Sequence, residues 1–561
     1  DVYRAVRAVF DDSEEMSKLD HEDRRLVERM ERNYRRDGIL LPPETRRMLA
    51  AVRRQLADVA LDFDACIKEE DAKVLFTRGE LEGLPEDYFD RRATDDADGE
   101  LKFVVTSKYP DYFPLLRYAK HERTRRAMLV AAETRCPANI GRLQEMVRLR
   151  LEEARLLGYR SHSEYVMEVL MAKTPQTALA MEEDLRARLE APAKKELAEL
   201  AALKLADKHA AGEPFVGFYN WDTAYYRRIT RESKHNIRED ELKQYLSLDN
   251  ALRGVLDIYQ KMLGLRIRQV ANPPVWHAEV AMYEVWEADG DVFVGHFYLD
   301  LHPREGKYNH AAVWPIRLGF TRPDGSREYP VAAMVANFPR ATSAAPALLP
   351  HSDVTTLMHE LGHVFHNLCA HTKWAYFHGT AVERDFVEAP SQMLENWASD
   401  PVALRKFAVH YETGEPIPEA LVAGLVDAKN KGAGLANLGQ VFFGMYDLAI
   451  HSTVDGKVDV LQTYNSMRSD IAMVGNGDAE THKLATFGHL AHGYSARVYG
   501  YLWSRVFSAD MYASRFKRDG VDNTTTGMDY RTEILRPGGS RDAMESMVRF
   551  LGRAPNNRAF L

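Results

Sequence analysis

Cysteine is scarce in this chain: Cys66, Cys136 and Cys369 are the only three in 561 residues, and no two form a CxxC pair. An odd, sparse set excludes a disulfide framework and points to a reducing compartment. Long apolar runs are missing as well. None approaches the 18 residues that a membrane span needs, so nothing is expected to cross a bilayer. Charge of one sign is also lacking. A net charge of −9 over this length gives no reason to expect a nucleic-acid partner, though it tolerates peptides with an ammonium end. The first residues, "DVYRAVRAVFDDSEEM", carry neither the apolar core of a signal peptide nor the acid-poor character of a transit peptide. A cytoplasmic protein is expected. Without an initiator Met, a native start upstream of residue 1 is expected, which leaves an organellar pool open. No repeat of fixed period is visible, which excludes a regular solenoid.

What is present is an ordinary globular composition, 45% apolar and 28% charged, in a chain long enough for several domains or one large two-lobed body. Residues 1–275 read as helical. "RLQEMVRLRLEEARLLG" (142–158) and "EEDLRARLEAPAKKELAELAALKLADKHA" (182–210) place apolar residues three and four apart. "DRRATDDADGE" (90–100) and "AGEP" (211–214) read as surface loops. Near 276 the period changes. "AMYEVWEADGDVFVGHFYLDL" (281–301) is a hairpin around Glu-Ala-Asp-Gly, and 310–338 repeats the pattern around Pro323-Asp324-Gly325. After 350 the chain returns to helix, except at 487–501.

"TLMHELGHVFHNLC" (356–369) carries the chemistry. Val354, Leu357, Met358, Leu361, Val364, Phe365 and Leu368 form one apolar stripe, and Ser352 or Asp353 is the expected N-cap. His359 and His363 fall opposite that stripe, one turn apart, as two metal nitrogens require. Glu360 lies beside them, offset by one residue, where a carboxylate reaches water without ligating the metal. Chance alone gives such a motif somewhere in a chain of this composition with a probability of roughly 5%, so a third ligand must be found. The metzincin extension fails, because His366 and Cys369 stand where Gly and His are needed. A Glu from a following helix remains: "ERDFVEAPSQMLENWA" (383–398) offers Glu383, Glu388 and Glu395. Asp385 with Glu388 looks like a helix start, and Pro390 fits a first turn. Spacing favours Glu388 only weakly. His366, His371 and His378 read as structural or solvent-facing, and Cys369 as a structural thiol. Downstream, "FGHLAHGYSARVYGYLW" (487–503) is a glycine-punctuated loop running into a helix at about 501, with two His and three Tyr able to donate hydrogen bonds.

These segments resemble the thimet oligopeptidase, neurolysin and saccharolysin family of zinc endopeptidases. "HELGHVFHNL", "HGTAVERDFVEAPSQMLENW", "FYLDLHPREGKYNHAA", "AAMVANFPR", "FGHLAHGYSARVYGYLWSRVFS" and "GMDYRTEILRPGGS" are similar to family segments, and "GLPEDYF", "KYPDYFPLLRYA" and "LLGYRSHSEYV" extend the likeness over the whole chain. The resemblance implies a mainly α, two-lobed, neurolysin-like body around a deep channel, with a small β-sheet next to the active-site helix. It implies one Zn2+ per chain on His359, His363 and Glu388, Glu360 as general base, Tyr501 as oxyanion donor, and His489 and Tyr494 at the substrate or intermediate. The expected organisation is a mostly helical lobe (1–275) and a catalytic region (276–561), with lobes interleaved in the chain. That region holds the sheet (276–340), the motif helix (353–369), the third-ligand helix (385–398) and the Gly/Tyr loop (487–501).

The expected substrates are short unstructured peptides cut internally by a monomer. Two alternatives stand beside this. One is a peptidyl-dipeptidase of the same superfamily, which needs a carboxylate anchor, for which Arg384 and Arg497 are candidates by position. The other is a non-catalytic peptide-binding relative. The chain departs from the family pattern at His492, where Gly is frequent, and at Val498, where close relatives carry Tyr. It also begins roughly a hundred residues into a typical member, which leaves channel closure open.

Overall fold

Leucine- and alanine-rich stretches with charged residues between them form the scaffold as long helices. The computed structural model describes residues 1–561 apart from 71, 90–92, 97–98, 236–237, 309, 344 and 430–431. Pro175–Ala210 is one helix of 36 residues, opened by Pro175 at its first position and capped by Thr174, whose hydroxyl accepts from Thr177 N. It packs along Ala433–His451, and the two backbones come close at Gly434, where an added Cβ would lie 2.9 Å from Ala193 N. A second pair, Pro43–Glu69 with Ala138–Leu156, flanks it.

Both expected hairpins are present. Ala281–Glu287 pairs antiparallel with Phe293–Asp300, and Ala312–Arg317 pairs antiparallel with Val331–Val335. They join one five-stranded sheet, in the order Leu265–Gln269, Ala281–Glu287, Phe293–Asp300, Val331–Val335, Ala312–Arg317, in which only Phe293–Asp300 and Val331–Val335 run parallel. Ala312–Arg317 is therefore an edge. The Pro323-Asp324-Gly325 turn carries its own two-residue ladder between Phe320–Thr321 and Arg327–Glu328.

The helical reading of residues 1–275 needs correction at two places. Lys73–Thr77, Thr94–Asp95 and Lys102–Thr106 form a three-stranded sheet, and Leu265–Gln269 is already a strand of the large one. Strands of two to five residues are too short to interrupt a helical periodicity, although "KVLFT" and "KFVVT" have the β-branched and aromatic content strands favour. The 90–100 segment thus contains strand residues at 94–95, while 90–92 and 97–98 lie outside the described residues. The 211–214 loop is a turn and extended chain, as expected.

One continuous hydrophobic core runs from Phe63 and Leu143 through Leu256, Phe297 and Phe365 to Phe550. A smaller cluster (Phe76, Val105, Leu115, Met128, Trp221) fills the space under the three-stranded sheet. The motif helix lies in the main core, packed on Val331–Val335, with Tyr259 stacked on Phe365 at 4.5 Å and donating its hydroxyl to Met358 O.

Candidate metal centre and its loop

The motif helix spans His351–Cys369, and every residue of the apolar stripe is buried. Its start differs from expectation. Pro350 occupies the N-cap and no side chain caps from within; instead Glu239, from a distant helix, accepts His351 N at 2.8 Å. Neither Ser352 nor Asp353 is needed, because a carboxylate brought by tertiary packing satisfies the free N–H.

The opposite face presents His359 and His363, both partly exposed. A short helix, Glu388–Leu394, crosses beside them, and Gly362 makes this close crossing possible: a Cβ there would stand 2.9 Å from Ser391 Cα. The crossing delivers Glu388 Oε2 to 3.3 Å from His359 Nε2 and 3.3 Å from His363 Nε2, which are themselves 3.2 Å apart. Among the described residues this is the one group of three His, Cys, Asp or Glu whose ligand atoms gather within 4.8 Å. A cation bonded tetrahedrally to N and O donors at about 2.0–2.1 Å spaces those donors about 3.3 Å apart, so the triangle fits such an ion. Burial disfavours charge here, yet the mutual contacts outweigh it. With Glu388 and Glu395 beside it, His359 is pushed up to about 10, and the two imidazoles hold Glu388 well below the usual carboxylate range.

The other two candidate glutamates have different partners. Glu395 Oε1 accepts from His359 Nδ1 at 2.8 Å, which holds a proton on Nδ1, so that the proton a metal would displace is the one on Nε2. Glu383 is buried and paired with Arg29 at 2.7 Å and Arg25 at 3.4 Å. The expected helix 385–398 is in fact Glu388–Leu394 followed by a 3-10 turn, Glu395–Ser399, with Pro390 in the first turn. Asp385 does not start it. Its carboxylate accepts from Met171 N, Ala172 N and the Tyr499 hydroxyl, tying this segment to the Gly/Tyr loop. Glu360 is buried beside the triangle; burial, partly offset by His359 and His363, raises its pKa, and Oε2 has no protein partner.

The loop opens with a 3-10 turn at Gly488–Leu490 and enters the helix Gly500–Met511. Tyr494 and Tyr501 stack at 5.5 Å with planes 12° apart, and His489 Nε2 lies 3.2 Å from the Tyr501 hydroxyl. Burial, the Tyr494 hydroxyl and the nearby charge of Glu388 all raise the Tyr501 pKa, so the phenol keeps its proton. Burial lowers that of His489.

The profile of Peptidase family M3 matches residues 115–561. The chain belongs to peptidase family M3. It is 34% identical to saccharolysin of Saccharomyces cerevisiae, over all of this chain and 81% of the relative. It is also 34% identical to a thimet-like oligopeptidase of Dictyostelium discoideum (97% and 82%), and 31% identical to oligopeptidase A of Salmonella typhimurium (100% and 84%). Two solved structures share the fold at 13% identity. PZ peptidase A has a TM-score of 0.52 over 99% of this chain and 80% of the other, and the M32 carboxypeptidase of Deinococcus radiodurans has 0.53 over 100% and 85%. The resemblance read from the sequence is thereby established, and this M3 chain is a metallopeptidase with a mainly helical fold and small sheets.

Within the M3 chain, Arg384 and Arg497 both lie at the loop. Arg384 sits over the Tyr494 ring at 5.6 Å, while Arg497 donates to Gly493 O at 2.5 Å and keeps a buried Nε without a partner. His492 Nε2 reaches Asp64 Oδ1 at 2.8 Å, a tether to the helix Pro43–Glu69. His366 and His378 are buried and His371 is exposed, away from the triangle's donor set. Residues the sequence reading passed over are Asp447, Arg150 and His162, which hold the loop from beneath. Nothing in their local sequence marks them. Among the described residues no helix is long and apolar enough to cross a membrane.

Proposed function

We propose that this M3 peptidase is a zinc-dependent oligopeptidase of the cytoplasm, acting as a monomer on short, unstructured peptides that it cuts internally. The supporting observation is the triangle of two imidazole nitrogens and one carboxylate oxygen, with edges of 3.2, 3.3 and 3.3 Å, bordered by a buried, unpartnered carboxylate. His359 Nε2, His363 Nε2 and Glu388 Oε2 would hold the ion. Bound there, zinc supplies Lewis acidity, which acidifies water toward a pKa of ~7 and polarises a carbonyl.

The chain's own groups do the rest. Glu360 takes the proton of the attacking water at its free Oε2 and returns it to the departing amine. Tyr501, kept protonated by burial, donates to the oxyanion that develops on the scissile carbonyl, a contribution of about 3–4 kcal/mol. Neutral His489 orients that hydroxyl, and Tyr494 packs against it. The edge strand Ala312–Arg317 offers free backbone groups to an extended peptide. Arg384 and Arg497 face the peptide's C-terminal portion. The peptidyl-dipeptidase alternative draws on this same pair, and Arg497 Nε, buried without a partner, favours keeping it in view.

The test is hydrolysis of an internally quenched peptide of about ten residues, comparing the parent with Glu360→Gln and measuring zinc in both. Cleavage by the parent, lost in the variant with zinc retained, supports the reading. Bound zinc without cleavage in the parent overturns it in favour of a peptide-binding protein. Repeating the assay on a C-terminally amidated peptide separates the enzymes, since amidation stops only the dipeptidase.

A further inference from the structure

The loop that carries His489, Tyr494 and Tyr501 is a run of short turns closed by its own backbone, such as Ser495 N to His492 O and Arg497 N to Tyr494 O, and a buried polar group anchors those turns from below. Arg150, on the helix Ala138–Leu156, is a donor only, so His451 Nε2, 3.0 Å from Arg150 Nη1, accepts. His451 Nδ1 therefore carries the proton and donates to Asp447 Oδ1 at 2.8 Å. One turn apart on the helix Ala433–His451, these two make a carboxylate whose remaining capacity is turned wholly to the loop. Ala496 N donates to Oδ1 at 2.9 Å and Val498 N to Oδ2 at 3.0 Å. Arg150 Nη2 adds a bond to Ala491 O at 3.0 Å, and His162 Nε2 meets Ser495 Oγ at 3.0 Å.

Ala496 adopts φ of +57°, a left-handed conformation that costs a non-glycine residue about 1 kcal/mol or more and persists only where surroundings enforce it. Two bonds hold it there: its own N–H donates to the Asp447 carboxylate, and Arg497 N closes a turn across it onto Tyr494 O at 2.9 Å. Between the pegs at 491 and 495 the chain is exposed, and at Gly493 it faces open space. Tyr494 stands at the end of that span, and its stacking on Tyr501 depends on where residues 495–498 are held. Among the described residues the Asp447 carboxylate bonds to no third helix: its partners are His451 on its own helix and two amides of the loop.

We propose that Asp447, held by His451 and Arg150, is the positioning residue of the reaction: it fixes the 491–498 backbone so that Tyr494 and Tyr501 stack where the oxyanion forms. This rests on the role given to Tyr501 above.

The experiment is a double-mutant cycle on the zinc-loaded enzyme together with amide hydrogen exchange on the full chain. Asp447→Asn is expected to lower kcat roughly 10–100-fold with KM little changed, and to add less than about threefold once Tyr501 is already Phe. Amides of 491–498 should exchange at least about tenfold faster while the helix Ala433–His451 stays protected. An equal fold-loss in both backgrounds, an unchanged kcat, or loss of protection in that helix alongside the loop overturns the proposal. If Asp447→Asn fails to fold, Ser495→Ala removes one peg at lower cost. It should give a smaller fall in kcat that again vanishes beside Tyr501→Phe, and a fall that persists there overturns the proposal. A parent that cleaves nothing sinks the peptidase reading, and exchange then decides the positioning claim alone: a loop still protected in Asp447→Asn overturns it.

Discussion

Glu383, Glu388 and Glu395 are chemically identical, and their neighbours give them three different tasks. Glu388 faces both imidazoles, Glu395 holds the far nitrogen of His359, and Glu383 neutralises two arginines of the N-terminal helix His21–Arg36. Replacing Glu395 by Ala should weaken zinc affinity 10–100-fold in a chelator competition while leaving the fold intact. Replacing Glu383 by Ala should do the reverse, since it strands Arg29 and Arg25: stability falls by about 3 kcal/mol in denaturant titrations, with zinc affinity kept. At the loop, Tyr501→Phe should lower kcat 10²–10³-fold without changing zinc content. The placement of His359 and His363 on one helix face was legible from spacing, because helical geometry dictates where residues four apart point, while spacing alone left their task open. Glu388 and Glu395 were not separable that way, lying two turns apart on nearly one face. What separates them is the break of the helix after Leu394 into a tighter turn, which sends Glu395 to the other side of the imidazole.

At the scale of elements, the site is the crossing of two helices and depends on the glycine between them. Gly362→Ala would press a methyl to 2.9 Å from Ser391 Cα and 3.1 Å from Leu394 Cδ1, and backbone cannot yield as a flexible side chain does. The ligand helix should be pushed away, with a loss of about 1–3 kcal/mol in stability and a clear fall in zinc content measured on the purified protein. The helices and hairpins that pattern could reveal were those with a long stripe or a clear turn. The short strands at 73–106 and 265–269 were hidden because propensity over five residues cannot outweigh helical surroundings. The cap on the motif helix was hidden for another reason. Glu239 is 112 residues from the amide it accepts, and no local pattern reports a partner so remote.

Over the whole molecule, two of the buried groups pull the pH dependence of stability in opposite directions. His378 is almost fully buried, and burial together with Arg327 holds its imidazole down to about 4 from 6.5. The unfolded chain binds a proton that the folded one refuses, so stability falls as pH drops from 6.5 toward about 4, by up to about 3 kcal/mol. Glu182 acts in the other direction. It is fully buried between the long helices with neither oxygen bonded, and burial alone lifts it well above 4.5. The folded state keeps a proton that the unfolded chain releases, so stability declines as pH rises from 4.5. Denaturant titrations across pH should show His378→Gln flattening the acid limb and Glu182→Gln the alkaline one.

The long-range pegs of the Gly/Tyr loop have a consequence in time. A chain emerging from the ribosome completes Glu239, the motif helix and all three glutamates well before it reaches Tyr501. The loop can take its shape only once Asp447 and His451 have docked against the older Arg150 and His162. Cleaving power thus arrives only when early and late parts of the chain have closed on one another, and the helix Glu388–Leu394, packed on Gly500–Met511 and bonded to Tyr530, waits for the same closure.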